Sequence, residues 1–464
     1  LALHDQVRIL SHGDLLRCSS PRPDSQAETA HVRAARLKSN TFHFDSSWRL
    51  RAEVKHVLFW NMRLADVDLF DTKTFVRGVP HDALRVMRKE APVYFHKEPE
   101  GRGFWCLTKY EDVLMASKDP HTFSSFRGGT NIKDYPPEDL SAIQMMMLNM
   151  DPPQHNQFRK LASTGFTPRM VARLEPRIRA AAREIIDAVA KKGEADFVTA
   201  VAAELPLIVI ADLLGVPQED RHKLFDWSNR LIGFDDPEFQ TSFEDGKQAA
   251  MELWMYASSL AETRRDHKGE DLVSVLINAE IEGNRLSDME FDSFFLLLAV
   301  AGNETTRNLI SGGLLALIEH PEERKRLVND LSLVPSAVEE MLRWVTPVMY
   351  FRRTATRDVE LRGQKIKEGD KVCMYYTSAN RDEDVFPNSD RFDVGRTPNE
   401  HLAFGAGQHF CLGSNLARLE IRMMFEEILK RIPDFELNGE VRRLQSNFIN
   451  GYKTIPIRFT PERG

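Results

Sequence analysis

The alternation of apolar and polar positions separates a long helical middle from shorter strand-like stretches. From Asp151 to about His320 apolar residues recur at helical spacing, as in RMVARLEPRIRAAAREIIDAVAKKG, which stops at a glycine. The stretch ELPLIVIADLLGVP is apolar on nearly every side and predicts a buried helix. Further helices are predicted for HKLFDWSNRLIG, GKQAAMELWMYASSLAETRR and DLVSVLINAEI.

The longest predicted helix, SDMEFDSFFLLLAVAGNETTRNLISGGLLALIEH, opens on Ser287 as an N-cap with Glu290 three residues later. Its most apolar run, FFLLLAVAG, is short and is followed by the polar NETT. No apolar run reaches the roughly 18 residues that cross a bilayer, and the N-terminus lacks the apolar core of a secretory signal. We therefore expect no membrane span and a cytoplasmic location.

Strand-like segments flank the helical middle. PVYFHK and GFWCLTK predict a hairpin, and RTATRD, VELRG and KVCMYYTSA predict short strands before a final helix, SNLARLEIRMMFEEILKRI. Residues 1–64 have little periodicity and are predicted to form a weakly ordered extension, with one domain over 65–464. The predicted fold class is mainly α with small β-sheets (α+β).

Composition narrows the function. The 464 residues are 42% hydrophobic and 28% charged, with a net charge of −7, which gives no basic footprint for nucleic acid. The four cysteines, Cys18, Cys106, Cys373 and Cys411, are scattered without a CxxC pair, which argues against disulfides and a Cys-rich zinc site. Cys106 and Cys373 lie in apolar strand-like runs and are expected in the core, whereas Cys18 lies in a polar segment.

Cys411 differs because it lies in the glycine-rich stretch HLAFGAGQHFCLG. A lone thiolate is a strong soft ligand for iron, and its charge needs nearby donors. Gly405, Gly407 and Gly413 permit turns that aim N–H groups at one sulfur, and the following helix adds its positive N-terminal end. The ring of Phe404 can limit the access of water to the sulfur. These features favour a haem ligated by cysteine.

Two alternatives remain for this stretch: a glycine-rich turn around a buried cysteine, or a zinc site formed by Cys411, His409 and His401. The full string FGAGQHFCLGSNLAR, however, resembles the haem-binding loop of the cytochrome P-450 superfamily. The resemblance implies a single-domain helical prism holding haem b between the long central helix and the helix after Cys411. It also implies that Phe404 and Gly405 contact the haem.

In the long helix, AGNETT resembles the oxygen-activation motif of that family. Gly302 weakens a helix and threonine hydroxyls can bond back to carbonyls, which together predict a local bulge with room for dioxygen. The resemblance implies that Ala301 borders the haem, that Thr305 hydrogen-bonds the reacting oxygen and that Glu304 relays protons. The alternative is a polar patch on a buried helix.

The stretch EEMLRW places Glu340 and Arg343 three residues apart, on one helical face. Such a pair is commonly a solvated ion pair. Here it resembles the ExxR motif of the family, and the resemblance implies that Arg391, in FPNSDRFD, completes a buried structural network with both residues.

Haem carries two propionates, which need donors or cations. MDPPQHNQFRKL offers His155 and Arg159 on one helix face and resembles the propionate-binding helix of the family. FRRTAT offers Arg353, with Arg352 as the adjacent alternative, and His409 lies two residues before the cysteine. The resemblance implies that His155, Arg159, Arg353 and His409 hold the propionates.

Other stretches, among them MLNMDPPQHNQFRKLASTGFTPR and LAVAGNETTRN, resemble soluble actinobacterial members that hydroxylate terminal methyl groups of steroid side chains and methyl-branched lipids. Such members use O2 and take electrons from a ferredoxin and an NAD(P)H-dependent ferredoxin reductase. The resemblance therefore implies a haem-thiolate monooxygenase. A terpene or another small apolar substrate, an isomerase, dehydratase or peroxygenase, and a non-catalytic haem binder are the alternatives. The Glu304–Thr305 pair favours the monooxygenase.

The substrate is expected to be long and apolar. By resemblance Val348, Met349, Phe448 and Ile449 face the substrate. The segment from Phe225 to Phe239, with Trp227 and Phe234, is expected to join them with few charge pairs. Such a lining binds by burial of apolar surface, worth about 25 cal/mol per Å².

Overall fold

The computed structural model describes residues 63–239, 242–265, 271–278, 280–281 and 284–463. The prediction of a weakly ordered extension over residues 1–64 lies almost wholly outside the described residues, as does Cys18.

The described helices follow one another along most of the chain. They are α1 His81–Glu90, α2 Tyr110–Lys118, α3 Pro137–Gln144, α4 Gln154–Ser163, α5 Pro168–Ala190, α6 Glu204–Leu214, α7 Arg221–Ile232, α8 Phe243–Arg264, α9 Leu272–Ile277, α10 Asp288–Glu319, α11 Pro321–Asn329, α12 Val334–Val345, α13 Tyr376–Ala379 and α14 Ser414–Arg431. The strands are β1 Val93–His96, β2 Phe104–Leu107, β3 Phe123–Ser124, β4 Glu194–Asp196, β5 Glu280–Ile281, β6 Asn284–Arg285, β7 Tyr350–Ala355, β8 Val359–Leu361, β9 Gln364–Ile366, β10 Lys371–Tyr375, β11 Glu436–Leu437, β12 Arg442–Arg443, β13 Tyr452–Thr454 and β14 Pro456–Arg458.

The long helix α10 begins and ends as its sequence predicts. The Glu290 backbone N–H donates to the Ser287 hydroxyl at 3.3 Å, and the Ser287 backbone N–H donates to the Glu290 carboxylate at 2.8 Å. This reciprocal cap satisfies two N–H groups that would lack partners in the first turn. The prediction of a helix opening on Ser287 is confirmed.

The largest sheet has the strand order β1-β2-β10-β7-β3. The predicted hairpin of β1 and β2 is present and antiparallel. Strand β10 runs parallel to β2, so that Cys373 lies opposite Cys106, and both cysteines are buried as predicted. A smaller sheet, β11-β14-β4, joins the C-terminal strands to the segment after α5, a pairing that the sequence does not indicate.

The main apolar core surrounds α10, which is contacted by α6, α7, α8, α12 and α14. Gly302 explains the close approach of α6, since a Cβ atom there would lie 2.8 Å from Cδ1 of Ile210. The predicted bulge at Gly302 is absent, because α10 is one continuous helix from Asp288 to Glu319. The glycine serves packing.

None of the helices in the described ranges combines the length and the apolar character that crossing a membrane requires.

Candidate active site

The loop before α14 folds so that Cys411 is held by backbone bonds. Its N–H donates to the carbonyl oxygen of Phe404 at 2.9 Å. Gly405 and Gly407 adopt φ angles of +70° and +68°, a region that other residues avoid. A side chain at Gly407 would also meet the carbonyl of Ser117. Gly413 has an ordinary φ of −84°, so its expected role as a permissive turn residue is not observed.

Opposing effects act on the Cys411 thiol. Burial raises its pKa, whereas the Gly413 N–H and the charges of Arg159 and Arg418 act to lower it. Helix α14 begins at Ser414, so its positive end lies beside the sulfur. A bound metal ion would displace the thiol proton, and the N–H donor and the two arginines would then stabilise the resulting charge.

Arg418 is itself fixed in place. It forms an ion pair with Glu339, with Nε 2.7 Å from Oε1, and its guanidinium lies over the Phe404 ring at 4.6 Å. Glu339 also lies 3.2 Å from Nε2 of His401. His401 is thereby engaged elsewhere, and the described residues contain no group of three His, Cys, Asp or Glu side chains that could hold a metal ion. The zinc alternative for this loop therefore lacks its ligands.

Two arginines and two histidines gather on one side of the cysteine loop. The rings of His155 and His409 are 4.1 Å apart. Burial, followed by the charge of Arg353, lowers the pKa of His409 to about 2. Burial also lowers the pKa of His155, with the charges of Arg159 and Arg353 adding to the effect. Both rings are therefore neutral near pH 7 and can each donate one hydrogen bond.

The two arginines of this group have no carboxylate partner among the described residues. Arg159 donates to the carbonyl of Phe410 at 2.6 Å, and Arg353 to the carbonyl of Arg352 at 2.9 Å. Asp151 acts on Arg353 only at a distance, since its carboxylate accepts from Ser125 and Ser124. Arg353 is buried and Arg159 is half-buried. Such cations are stabilised by anions, and the histidines can donate as well, so the four side chains suit a ligand with two carboxylates, as haem has.

Arg352, the alternative to Arg353, is already paired. It is fully buried, and its Nη1 lies 2.7 Å from Oδ1 of Asp134. Successive residues of a strand point to opposite faces, so only Arg353 is left on the side of His409.

Helix α10 presents a different surface at Ala301 and Thr305. Ala301 is exposed and Thr305 half-buried, although Asn303, Glu304 and Thr306 around them are buried. The two residues are four apart and therefore share one face. The Thr305 hydroxyl donates to the Ala301 carbonyl at 2.9 Å. A small residue and a hydroxyl thus border open space where the resemblance places the haem and dioxygen.

Glu304, the residue before Thr305, is buried beside that face. Its Oε1 accepts hydrogen bonds from Arg307 and, at 3.0 Å, from Asn308. Sequence analysis did not single out Arg307, although its i,i+3 spacing from Glu304 within an apolar helix was the available indication.

Glu340 and Arg343 form a fully buried ion pair on α12, with Arg343 Nη2 2.7 Å from Glu340 Oε1. The Glu340 carboxylate also accepts from Asn399 Nδ2 at 3.1 Å and from the Asp393 backbone N–H at 2.9 Å. The third charged member is Arg396, whose Nε lies 3.1 Å from Glu340 Oε2.

The prediction that Arg391 completes this network is wrong. Its side chain is 64% exposed and lies 3.7 Å from Glu323. Arg391 contributes only its backbone carbonyl, which accepts from Arg343 at 3.1 Å and from Arg396 at 2.8 Å. Because the loop turns back at Arg391, the arginine five residues later reaches the carboxylate.

The predicted substrate residues divide into two pairs. Met349 and Ile449 are 1% exposed and belong to the core, so their prediction as lining residues is wrong. Val348 and Phe448 are half-buried, and Phe448 packs against Phe351 with ring centres 5.7 Å apart. Of these four residues, only Val348 and Phe448 therefore keep exposed surface that could border the site.

The segment from Phe225 to Phe239 carries more charge pairs than expected. Asp235 lies 2.7 Å from Lys133, and Asp236 lies 2.9 Å from Lys453. Glu238 pairs with Lys453 and Arg442. Trp227 is buried, and its indole N–H donates to Glu252 at 2.8 Å. Phe234 lies near Lys133, 5.8 Å from the ammonium nitrogen. The basic partners Arg442 and Lys453 lie on C-terminal strands, over 200 residues away in sequence. The pattern of apolar and polar residues within the segment therefore does not reveal these ion pairs.

Comparisons with known proteins agree with this geometry. The family model for cytochrome P450 matches residues 207–446. A methyl-branched lipid omega-hydroxylase of Mycobacterium tuberculosis (strain H37Rv) is 44% identical over 410 residues, which cover 86% of this chain and 95% of that protein. A steroid C26-monooxygenase of Rhodococcus jostii is 42% identical over 407 residues, 86% of this chain and 85% of that protein.

Among solved structures, a cytochrome P450 of Mycobacterium marinum in complex with pseudoionone has a TM-score of 0.77 and 40% identity. The match covers 82% of this chain and 94% of that one. The chain belongs to the cytochrome P450 family. It is accordingly a monooxygenase with a haem cofactor. The mainly helical fold with small sheets is the one that the sequence predicts.

Proposed function

We propose that this monooxygenase hydroxylates a terminal or branched methyl group of a long apolar molecule, either a cholesterol-type steroid side chain or a methyl-branched lipid. The main observation behind this proposal is the sequence identity of 42–44% with a steroid C26-monooxygenase and a methyl-branched lipid omega-hydroxylase. The half-buried side chains of Val348, Phe351 and Phe448 support it, since they offer apolar surface and no charge.

The cofactor in this proposal is haem b, bound without a covalent link, because the sequence has no CxxCH motif to attach it. Cys411 would bind its iron through the thiolate, and Phe404 and Gly405 would contact it. His155, Arg159, Arg353 and His409 hold the two propionates. Bound haem supplies the oxidising chemistry that splits dioxygen and inserts one oxygen atom into a C–H bond.

The residues of α10 control protons in this proposal. Ala301 leaves room on the distal side. The Thr305 hydroxyl lies within reach of that space and donates its hydrogen bond to the Ala301 carbonyl. Its oxygen can therefore accept a hydrogen bond from a group in that space. Glu304, the neighbouring carboxylate, takes up a proton and releases it toward Thr305.

Electrons come from a separate ferredoxin, reduced by an NAD(P)H-dependent reductase in the cytoplasm. The proposal is supported by stretches such as MLNMDPPQHNQFRKLASTGFTPR, which resemble soluble actinobacterial members that use such a pair.

The Thr305→Ala variant tests the distal assignment. We expect it to keep its haem but to divert reducing equivalents to hydrogen peroxide, with product per NAD(P)H reduced by roughly the 10²-fold typical of a lost acid–base group. The Thr306→Ala variant is the matched control, because Thr306 is buried one position away. Product and peroxide are measured together. An unchanged ratio in Thr305→Ala would show that the hydroxyl is dispensable.

Ligand titrations test the substrate class. Sterols, methyl-branched fatty acids, terpenes and small aromatics are added in parallel to the ferric protein. The visible spectrum follows loss of the water bound to iron, and turnover is measured with the ferredoxin pair. We expect the sterol or the branched lipid to bind and to be hydroxylated at a methyl group. Tight binding and turnover of only a small polar or aromatic compound would refute the lipid proposal and leave the monooxygenase intact.

A further inference from the structure

A buried arginine connects the carboxylate of Glu304 with helix α7. Nη2 of Arg307 donates to Oε1 of Glu304, and Nη1 donates to Oδ1 of Asn229 at 2.9 Å. The same guanidinium lies over the ring of Phe225, 5.3 Å from its centre. Both Asn229 and Phe225 belong to α7, so one cation spans two helices. The side chains of Arg307 and Glu304 are 4% and 1% exposed, which removes this contact from solvent.

The two oxygens of Glu304 have different surroundings. Oε1 accepts from Arg307 and Asn308, whereas Oε2 is buried and has no hydrogen-bond partner among the described residues. Nearby, Nε of Arg307 and both amide atoms of Asn303 also lack partners within the described part of the chain. Buried polar atoms are normally satisfied, often by internal water. The carboxylate is therefore anchored at one oxygen and has the other free for proton exchange.

The ion pair determines the position of the carboxylate. A buried carboxylate is costly without its counter-charge, so Glu304 stays where Arg307 is. Arg307 in turn stays where α7 places Asn229 and Phe225. Its planar guanidinium can make both hydrogen bonds while it stacks on the ring, which a lysine ammonium does less well.

We propose that Arg307 is a positioning residue for proton delivery, and that Asn229 supports it from α7. The inference rests on the proposed role of Glu304. Internal water relays a solvent proton to Oε2, and the protonated carboxyl then releases a proton toward Thr305, so the relay ends with no net charge on the water. The carboxylate is restored, and Arg307 keeps its own protons throughout. With the cation removed, Glu304 loses its fixed orientation and delivery slows.

The test uses the full-length, haem-loaded protein with the ferredoxin pair and a substrate that the wild type turns over. In Arg307→Gln we expect NAD(P)H consumption to continue, product per NAD(P)H to fall several-fold, and the solvent isotope effect on product formation to rise. Arg307→Lys should recover part of the loss, because the charge is kept. Asn229→Ala should change both quantities in the same direction by a smaller factor.

Ser293→Ala is the matched control, because Ser293 is a buried polar residue on the same helix, ten residues before Asn303. It should behave as wild type. A double-variant cycle adds a readout that does not depend on turnover. In urea unfolding, Arg307→Gln combined with Glu304→Gln should be less destabilised than the sum of the two single variants, because the pair is already broken in each.

Two results would overturn the inference. The first is wild-type product per NAD(P)H and isotope effect in Arg307→Gln, under conditions where Thr305→Ala is uncoupled. The second concerns the case in which Arg307→Gln loses its haem, so that Asn229→Ala is measured in its place. Wild-type product per NAD(P)H in Asn229→Ala would then show that Arg307 is purely structural. Failure of the proposed function would instead appear in the wild type, as absence of any hydroxylated product.

Discussion

Cys411→Ala is expected to lose the absorption band that thiolate-ligated haem gives when the reduced protein binds carbon monoxide. The reason is that, among the cysteines of the described residues, only Cys411 lies in a loop with a backbone N–H donor and a helix N-terminus beside it. The loss should be complete, because no other side chain of the described chain can replace a soft thiolate at this position. The measurement is the difference spectrum of the reduced protein with and without carbon monoxide.

Cys373→Ala provides the control. Cys373 is fully buried in strand β10 and packs in the core, so its replacement removes a thiol that lies outside the glycine-rich loop. That variant should keep the band. A Cys411→Ala protein that retained the band would contradict the ligand assignment, whatever its activity.

Glu340→Ala is expected to prevent accumulation of folded, haem-loaded protein. Glu340 is the common acceptor for Arg343, Arg396, Asn399 and the backbone of Asp393. Removal of one partner of a buried ion pair costs about 3–5 kcal/mol, a large part of the stability of a typical protein. The quantities to measure are the haem content per polypeptide and the midpoint of urea unfolding.

The two nearby arginines supply a matched pair for this prediction. Arg396→Ala should resemble Glu340→Ala, because Arg396 is 10% exposed and bonds the carboxylate directly. Arg391→Ala should resemble wild type, because its side chain extends into solvent and only its backbone takes part. Normal haem content in Glu340→Ala, or a severe defect in Arg391→Ala, would show that the network is placed incorrectly.

The features that the sequence predicts well are contacts between residues that lie close together along the chain. The capping box at Ser287, the pair Glu340–Arg343 at i,i+3 and the glycine turns before Cys411 each depend on residues a few positions apart. Helix geometry and φ restrictions determine such contacts without reference to the rest of the chain. The helices and the first hairpin follow from the same short-range periodicity.

The contacts that the sequence does not predict depend on the path of the loops in the folded chain. Arg391 and Arg396 are five residues apart in one loop, and no periodicity distinguishes which of them reaches Glu340. The charges of Asp235 and Asp236 likewise meet Lys133 and Lys453 only after folding. From sequence alone, a charged residue in a loop is therefore predicted to be solvated, because its distant partner is not known.

The substrate residues show an intermediate case. The resemblance places Val348 and Phe448 beside the substrate, and the structure brings their two segments together, since Val348 and Ile449 form a β-bridge. The error concerned burial, because Met349 and Ile449 are 1% exposed and belong to the core. The register of such short strands depends on tertiary packing, which a single sequence does not contain.

Arg159 and Arg353, which have no carboxylate partner in the described part of the chain, also bear on how a cell makes this enzyme. Before the cofactor arrives, folding must bring these two charges together without a carboxylate between them. A ligand that binds only the folded chain raises the folded fraction in proportion to its concentration, and two propionates do so by charge as well as by contact. A cell that synthesises the polypeptide faster than it synthesises porphyrin accumulates chains that proteases degrade. We therefore expect the yield of active enzyme to follow the supply of iron and porphyrin rather than the rate of translation.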